Sequence, residues 1–244
     1  RGARITGSNC EALIMKRTIQ AGLLAAMIAL PVAGHTQAPP CTPIGKIQFI
    51  CDVRGPEDFA LVPGSPWIMV SGNQAGLGQI RALHPGDKKV VPLYPMATVK
   101  SQYDAKAFPG CPGPIDVNDP AEKKTVAFHG LYLRPGSGAT HRLFSVHHGA
   151  RESIEAFDID TRTNPPTLTW VGCVIAPANA VFNSMVAFAD GGVAATNTPR
   201  PAAGQKPPNV RVGQVWEWHA ATGWAPVPGT EGVSINGLEV SKDG

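Results

Sequence analysis

Beyond about residue 40, apolar residues occur in short runs bounded by glycine, proline, aspartate or asparagine, and a helical period of apolar positions is almost absent. Short apolar runs separated by turn residues predict strands joined by tight connections, and therefore an all-β fold. The chain is also rich in turn formers, with 27 glycines and 24 prolines. Ten such runs predict strands: 59–62, 67–70, 126–133, 143–146, 154–157, 168–171, 185–188, 193–195, 215–218 and 238–240.

Four segments share one order of features: a polar residue, a short alternating strand, a tight turn and a second strand. They begin at Glu57, His129, Asn183 and Asn236, at intervals of 72, 54 and 53 residues. A period of about 50 residues is typical of one four-stranded propeller blade. The wider first interval contains the proline-rich residues 108–120, which we expect to form an inserted loop. The repeat predicts a β-propeller of which about four blades lie in this chain.

The first 38 residues have the layout of a secretory signal. Met15-Lys16-Arg17 begins a basic stretch, an apolar run covers 21–33, and small residues end at Ala38. The apolar run falls short of the roughly 20 residues that a membrane span needs. We therefore expect an upstream, non-native segment at 1–14, a signal peptide at 15–38 and a partial propeller domain at 39–244. The mature chain would lack a membrane span and be exported, to a bacterial periplasm or as a secreted protein.

The charge balance bears on binding partners, and the cysteine count bears on disulfide bonds. Residues 1–38 hold four of the 21 basic and one of the 18 acidic residues, which leaves 17 of each in the mature chain. A nucleic-acid partner is not expected, because no excess of basic residues remains to neutralise phosphates. Four cysteines remain, at 41, 51, 111 and 173. In an oxidising compartment they predict disulfides, and three pairings are possible.

The repeat brings candidate metal ligands to one register. Equivalent positions of successive blades lie at one height around the axis, so Glu57, His129, Asn183 and Asn236 are predicted to converge at the mouth of the central channel. Turn chemistry alone explains a repeated asparagine or glycine, but it has no use for a carboxylate and a histidine. Glu57, Asn183 and Asn236 offer oxygen ligands, which suit calcium, whereas zinc would require more histidine or cysteine.

Histidines provide the candidate proton carriers. His129 and His148 lie at strand ends of a single predicted blade, where two imidazoles within reach of one another could relay a proton. His148 could equally be a solvated hairpin residue. His147 is expected to point to the opposite face of its strand, because side chains alternate. The other histidines after the leader occur in turn-like polar contexts and are expected at the surface: His84, His141 and His219.

Two further patterns do not indicate chemistry by themselves. Ser184, Ser234 and Ser241 lack the G-x-S-x-G context of a hydrolase nucleophile. The glycine-rich residues 72–78 lack the Lys-Ser/Thr that follows a phosphate-binding loop. We expect these residues to form a hairpin loop.

Five stretches carry a resemblance to a known family. In order along the chain they are Pro56-Glu57-Asp58, Phe128-His129-Gly130-Leu131, Val146-His147-His148-Gly149, Phe182-Asn183-Ser184 and Ile235-Asn236-Gly237-Leu238. At these residues the chain resembles the paraoxonase/arylesterase family, within the wider group of strictosidine-synthase-like and gluconolactonase-like propellers. The resemblance covers nearly all of the mature chain.

The resemblance implies a six-bladed propeller with two calcium ions in its tunnel. It implies that Glu57, Asn183 and Asn236 hold the catalytic ion, and that Asp58 and the carbonyl of Leu131 hold a deeper, structural one. Ser184 stands where the family has a calcium-binding aspartate, and further ligands of the catalytic ion are expected beyond Gly244. The chain would then be a fragment that stops within a blade at Lys242-Asp243-Gly244.

By the same resemblance, His129 assisted by His148 would be the base that activates water. The expected function is calcium-dependent hydrolysis of small-molecule esters or lactones, of the arylesterase or lactonase type, although the fragment alone would be inactive. Two alternatives remain at this point. The first is a strictosidine-synthase-like propeller that binds a ligand without turnover, and the second is a gluconolactonase-type hydrolase of sugar lactones.

Overall fold

Three antiparallel sheets follow one another along the chain in the computed structural model. The structure describes residues 41–199, 201, 212–233 and 235–241, all within one structural unit. The upstream segment, the predicted signal peptide and the final Lys242-Asp243-Gly244 lie outside the described residues. No helix in the described part of the chain is long and apolar enough to cross a membrane.

Each sheet is formed by strands consecutive in sequence, each paired with the next. The first sheet contains β1 (Pro56–Leu61), β2 (Ile68–Gly72), β3 (Ile80–His84) and β4 (Lys89–Tyr94). The second contains β5 (Ala127–Arg134), β6 (Thr140–His148), β7 (Ser153–Asp160) and β8 (Thr167–Ile175). The third contains β9 (Phe182–Ala187), β10 (Val193–Asn197), β11 (Val212–His219) and β12 (Gly223–Pro226), and the short β13 (Gly232–Val233) also pairs with β11.

The all-β prediction is confirmed, and the first nine predicted runs each overlap a strand. The tenth prediction, a strand at 238–240, is wrong. These residues contact β9 through the side chain of Ser184 instead of a backbone ladder. The runs missed β3, β4, β12 and β13. In β4, Pro92 and Lys89 interrupt the apolar pattern, so pairing with β3 rather than local composition decides that it is a strand.

The first strand of every sheet has an irregular register near its beginning. The pairing shifts between Pro56 and Phe59 in β1, between Phe128 and Leu131 in β5, and between Ala195 and Asn197 opposite β9. Such irregularities release residues from the ladder and redirect their side chains. In β1 and β5 the released residues include two of the predicted register positions, Glu57 and His129.

Close packing of the second sheet against the third requires glycine at position 130. A Cβ atom on Gly130 of β5 would lie 2.8 Å from the carbonyl oxygen of Asn183 and 2.9 Å from the Cα of Ser184, both on β9. These distances are shorter than carbon tolerates, so a larger residue would separate the strands. The core between the first two sheets is aromatic. The ring of Tyr94 packs edge-on against Phe128 and Phe157, with centroids 5.8 and 4.7 Å apart.

The predicted inserted loop is an ordered layer on the second sheet. Residues 95–119 contain no strand, and they bury Phe108 and Ile115. A disulfide from Cys111 to Cys173 attaches the loop to β8, and Tyr103 stacks on Trp170. The second disulfide joins Cys41 to Cys51, so the structure selects one of the three possible pairings. The loop ends in a helix, α1 (Pro120–Thr125), which the sequence pattern did not predict.

A buried carboxylate–imidazole hydrogen bond joins α1 to the second sheet. His147 Nε2 lies 2.7 Å from Glu122 Oε1, and the second Glu122 oxygen accepts the Ala150 N–H at 2.9 Å. Burial of Glu122 opposes its ionisation. The hydrogen bond and charge of His147, with the Ala150 N–H, outweigh burial and hold the pKa of Glu122 below its ordinary value of 4.5.

We expect Glu122→Gln to lower the free energy of unfolding by about 2 kcal/mol near neutral pH, because the neutral amide offers one acceptor oxygen where the carboxylate contacts both His147 Nε2 and the Ala150 N–H. A carboxyl pKa lowered by folding stabilises the protein above the unfolded-state pKa, and this contribution disappears as pH falls through the folded-state pKa. The difference from wild type should therefore shrink below the ordinary value of 4.5. Urea unfolding at several pH values measures it.

The matched control is Glu231→Gln, an exposed carboxylate that accepts one hydrogen bond from Gln214. It should change the free energy of unfolding by less than about 0.5 kcal/mol. Equal stability of wild type and Glu122→Gln at neutral pH would contradict the stabilising role assigned to the Glu122 carboxylate.

Candidate functional site

The first strands of the three sheets bring three of the predicted register residues into contact. His129 Nε2 lies 2.9 Å from Glu57 Oε1 and 3.1 Å from Asn183 Nδ2. Glu57 belongs to β1, His129 to β5 and Asn183 to β9. The contacts thus link residues that are 72 and 54 positions apart in sequence. The predicted convergence of these residues is present in the structure.

A cavity of about 290 Å³ opens at this point. Asn236, the fourth register residue, lines it together with Glu57, His129 and Asn183. Two more carboxylates, from Asp58 and Glu239, also line it. No lysine or arginine is found among the described residues of its lining. The cavity therefore combines acidic groups and amides without a compensating basic side chain, which favours a bound cation. Sequence reasoning had not identified Glu239.

Side-chain hydrogen bonds hold the segment that carries Asn236, which lies outside the strands. Thr196 Oγ1 on β10 donates to the Asn236 carbonyl oxygen at 2.7 Å. Ser184 Oγ on β9 accepts the Leu238 N–H at 3.1 Å. These contacts place Asn236 at the cavity without a backbone ladder.

Asp58 and Ser184 occupy equivalent positions, each directly after a register residue. Asp58 Oδ2 accepts the N–H of Leu131 at 2.8 Å, just as Ser184 accepts that of Leu238. In both cases the backbone N–H belongs to the next repeat. It is the N–H of the residue two positions after the register residue, His129 or Asn236. The other Asp58 oxygen accepts the Phe59 N–H at 2.8 Å. Both Asp58 oxygens therefore have protein partners.

The Asp58, Leu131 and Ser184 position provides a weak donor set for a second cation. It offers one carboxylate that is already hydrogen-bonded, one carbonyl and one hydroxyl. Calcium sites usually supply six to eight oxygen ligands with more charge. These residues do not fit the deeper calcium ion that the resemblance implies, and their contacts are explained by linking β1 to β5 and β9 to the segment 235–241.

The two candidate histidines are hydrogen-bonded to one another. His129 Nδ1 lies 3.0 Å from His148 Nε2, and both side chains are largely buried, with 15% and 16% of their surface exposed. His148 Nδ1 lies 2.9 Å from both carboxylate oxygens of Glu152. Glu152 also accepts the Phe182 N–H at 2.8 Å, which fixes the carboxylate against β9.

Glu152 is a functional candidate that sequence reasoning missed. It lies in the connection between β6 and β7, four residues after His148. A carboxylate at that spacing after a histidine was a signal in the sequence. The sequence alone does not show that the turn between β6 and β7 brings this carboxylate into contact with the imidazole of His148.

The contacts of His148 determine where protons lie on the two rings. A carboxylate only accepts hydrogen bonds, so Glu152 requires a proton on Nδ1 of His148. The Nε2 of neutral His148 then accepts a hydrogen bond from Nδ1–H of neutral His129. When both rings are neutral, the lone pair of His129 is then on Nε2, where it accepts the Asn183 Nδ2–H and leaves the Glu57 carboxylate without a proton to accept from His129. Glu152 thus orients the basic nitrogen of His129 through His148.

Burial favours the neutral form of His129. It lowers the pKa of His129 below its ordinary value of 6.5. The Glu57 carboxylate raises the pKa of His129 and the charge of His148 lowers it, and the net effect is a lower pKa. The ring is therefore neutral and able to accept a proton at neutral pH.

His147 and Ser153 form a second histidine cluster with Glu122, away from the cavity. Nδ1 of His147 lies 3.3 Å from Ser153 Oγ, and Nε2 lies 2.7 Å from Glu122. The order of groups resembles a hydrolase triad, but Ser153 and His147 are both completely buried. Ser153 Oγ also donates to Glu155 at 2.6 Å. A substrate cannot reach this hydroxyl, so the cluster is structural.

Side chains alternate on β6 as expected, with His148 in contact with His129 behind the cavity lining and His147 in the interior. His84 and His219 are partly exposed, with 20% and 34% of their side chains accessible. The surface prediction for His141 is wrong. It is buried, and its Nδ1 accepts the Gly136 N–H at 3.1 Å because the turn after β5 folds over the ring.

Comparison with known proteins finds neither a matching family model nor a matching curated protein. Among the described residues, no group of three or more His, Cys, Asp or Glu side chains is placed to hold a metal ion. A cation at the cavity would therefore depend on the amide oxygens of Asn183 and Asn236 as well as on carboxylates.

We expect both His129 and His148 to carry their proton on Nδ1 when neutral, because Glu152 fixes the direction of both hydrogen bonds. Nitrogen-15 chemical shifts of the histidine rings, recorded in chelator, distinguish the tautomers. Glu152→Leu should remove this preference in both rings.

His141 provides an internal control in the same spectrum. Its Nδ1 accepts a backbone N–H, so its proton should lie on Nε2. An Nε2–H tautomer at His148 in the wild-type protein would rule out the assigned direction.

Proposed function

We propose that this chain belongs to a calcium-dependent hydrolase of small esters or lactones, of the arylesterase or lactonase type. The proposal depends on one observation: the hydrogen-bonded series Glu152–His148–His129 ends with a basic nitrogen facing an acidic cavity. A buried carboxylate and two imidazoles in line are an arrangement suited to general-base catalysis.

We further propose that the three sheets are consecutive blades of a six-bladed β-propeller, with about four blades represented in the chain. The order of strands within each sheet supports this scaffold, as does the convergence of β1, β5 and β9 at one site. The two disulfides are compatible with an exported protein, either periplasmic or secreted.

The donor chemistry around the cavity fits a calcium ion. Glu57 and Asn183 can each supply an oxygen, and Asn236 lines the same cavity. In the proton arrangement fixed by Glu152, Glu57 Oε1 and His129 Nε2 both direct lone pairs at a separation of 2.9 Å. A cation bound to Glu57 would relieve this repulsion. When bound, calcium would supply Lewis-acid polarisation of a carbonyl group.

The residues of the chain provide the proton transfer. A water molecule in the cavity would give its proton to Nε2 of His129 as it attacks the ester carbonyl carbon. The resulting positive charge on His129 is stabilised by His148, which accepts from Nδ1–H, and by Glu152 beyond it. The same proton can then pass to the leaving alkoxide, as general acid–base catalysis requires. The cavity volume of about 290 Å³ favours a small ester or lactone.

In the full-length protein, hydrolysis of phenyl acetate or of a simple lactone should stop in excess chelator and return with calcium. Glu57→Gln should lower kcat/KM by about 10³-fold, because one charged oxygen ligand is lost. His129→Gln should lower kcat by roughly 10² to 10⁴, the usual contribution of a general base. Initial rates over a series of calcium concentrations separate the two effects.

Glu231→Gln, which does not alter a residue of the cavity lining, is the control and should retain wild-type rates. Hydrolysis that continues unchanged in chelator would refute the calcium-dependent mechanism. Calcium-dependent melting without hydrolysis of any tested ester or lactone would instead identify a propeller that binds a ligand without turnover. A preference for sugar lactones over aryl esters would identify the gluconolactonase type.

A further inference from the structure

A second cavity, of about 440 Å³, has the opposite electrostatic character. We call it the basic pocket, defined by Arg54, Arg81 and Lys123, which line it. None of the described residues of its lining is an aspartate or glutamate. Leu77 and Met96 form an apolar part of the lining and remain 47% and 41% exposed.

Arg81 is a buried cation without a hydrogen-bond partner at Nη1. The residue is only 8% exposed, and its guanidinium makes no ion pair within the described chain. Burial lowers the pKa of Arg81, and the positive charge of Arg54 lowers it further. The negative charge of Asp52 raises this pKa, but Asp52 does not form an ion pair with Arg81. A buried charge is costly unless it is paired and hydrogen-bonded. The guanidinium of Arg81 would therefore be stabilised by a hydrogen-bond acceptor, and the described residues do not supply one at Nη1.

The walls of the basic pocket are fixed by the backbone. The glycine-rich loop between β2 and β3 is attached beside the C-terminus of α1, because Gly76 and Gly78 both donate to the Val126 carbonyl oxygen, at 3.0 and 3.1 Å. At the start of this loop, a Cβ on Gly72 would lie 2.7 Å from the Arg54 carbonyl oxygen and 3.3 Å from Arg81 Nη1. The loop thus provides a preformed wall, and glycine at position 72 leaves the space that the guanidinium needs.

We propose that the basic pocket binds a small organic anion, whose carboxylate or phosphate group pairs with Arg81 and Arg54 while its apolar part contacts Leu77 and Met96. Guanidinium groups match both anions through paired hydrogen bonds. Arg54 precedes Glu57 by three residues, so their Cα atoms lie within about 11 Å of one another. The pocket and the acidic cavity share no lining residue among those described, and anion binding does not depend on hydrolysis.

Calorimetric titration of the full chain tests the proposal with hexanoate, hexyl phosphate and the neutral hexanamide. We expect saturable binding of one or both anions and no binding of hexanamide. Arg81→Met should weaken anion binding by at least about tenfold, because a buried charge partner is removed. The same variant, free of ligand, should melt at or above the wild-type temperature, since an unpaired buried charge is replaced by an apolar side chain. Binding should persist in chelator, which separates this site from calcium-dependent hydrolysis.

Arg142→Met is the matched control, because Arg142 is half-buried but already paired with Asp158 at 2.7 Å. It should leave anion affinity unchanged. If Arg81→Met does not fold, the exposed double substitution Arg54→Ala with Lys123→Ala should still weaken binding by about tenfold. The anion that binds more tightly shows whether the pocket prefers a carboxylate or a phosphate group. Absence of binding by both anions, or wild-type affinity in the folded variants, would overturn the proposal.

Discussion

The contact between the first strands of neighbouring sheets is the constraint on which the rest of the structure depends. These strands do not share a backbone ladder, so their backbone donors need other partners. Asp58 accepts the N–H of Leu131, and Ser184 accepts that of Leu238, each from the next repeat. Gly130 lets β5 approach β9 closely. The same contacts determine the positions of Glu57, His129 and Asn183, because the polar register lies where the strands meet.

This constraint explains why structural and chemical residues alternate so closely. Asp58 links β1 to β5 and Ser184 links β9 to the segment 235–241, and their neighbours Glu57 and Asn183 contact His129 at the same cavity. The same separation occurs on β6, where His147 pairs with Glu122 in the interior and the next residue, His148, contacts His129. Strand alternation thus places the Glu122–His147 network and the Glu152–His148–His129 series on opposite faces of β6.

Two cavities with opposite charge give the molecule its electrostatic character. The 290 Å³ cavity is lined by carboxylates and amides, and the 440 Å³ pocket by two arginines and a lysine. Each cavity has a lining residue near the beginning of β1: Arg54 precedes the strand and lines the basic pocket, and Glu57 is its second residue and lines the acidic cavity. The balance of 17 basic and 17 acidic residues in 39–244 therefore conceals local differences in charge, and local fields rather than net charge govern ligand binding.

The sequence alone determined the all-β class, the repeated register and the residue types at the site. Apolar runs depend on local alternation, and the repeat of Glu57, His129, Asn183 and Asn236 is visible as spacing. Tertiary structure decided the cysteine pairing, the strand status of β3 and β4, and the irregular segment at 238–240. It also decided the partnership of Glu152 with His148 and the unpaired burial of Arg81. These features depend on which distant segments meet and how much water is excluded between them, and local composition does not encode either.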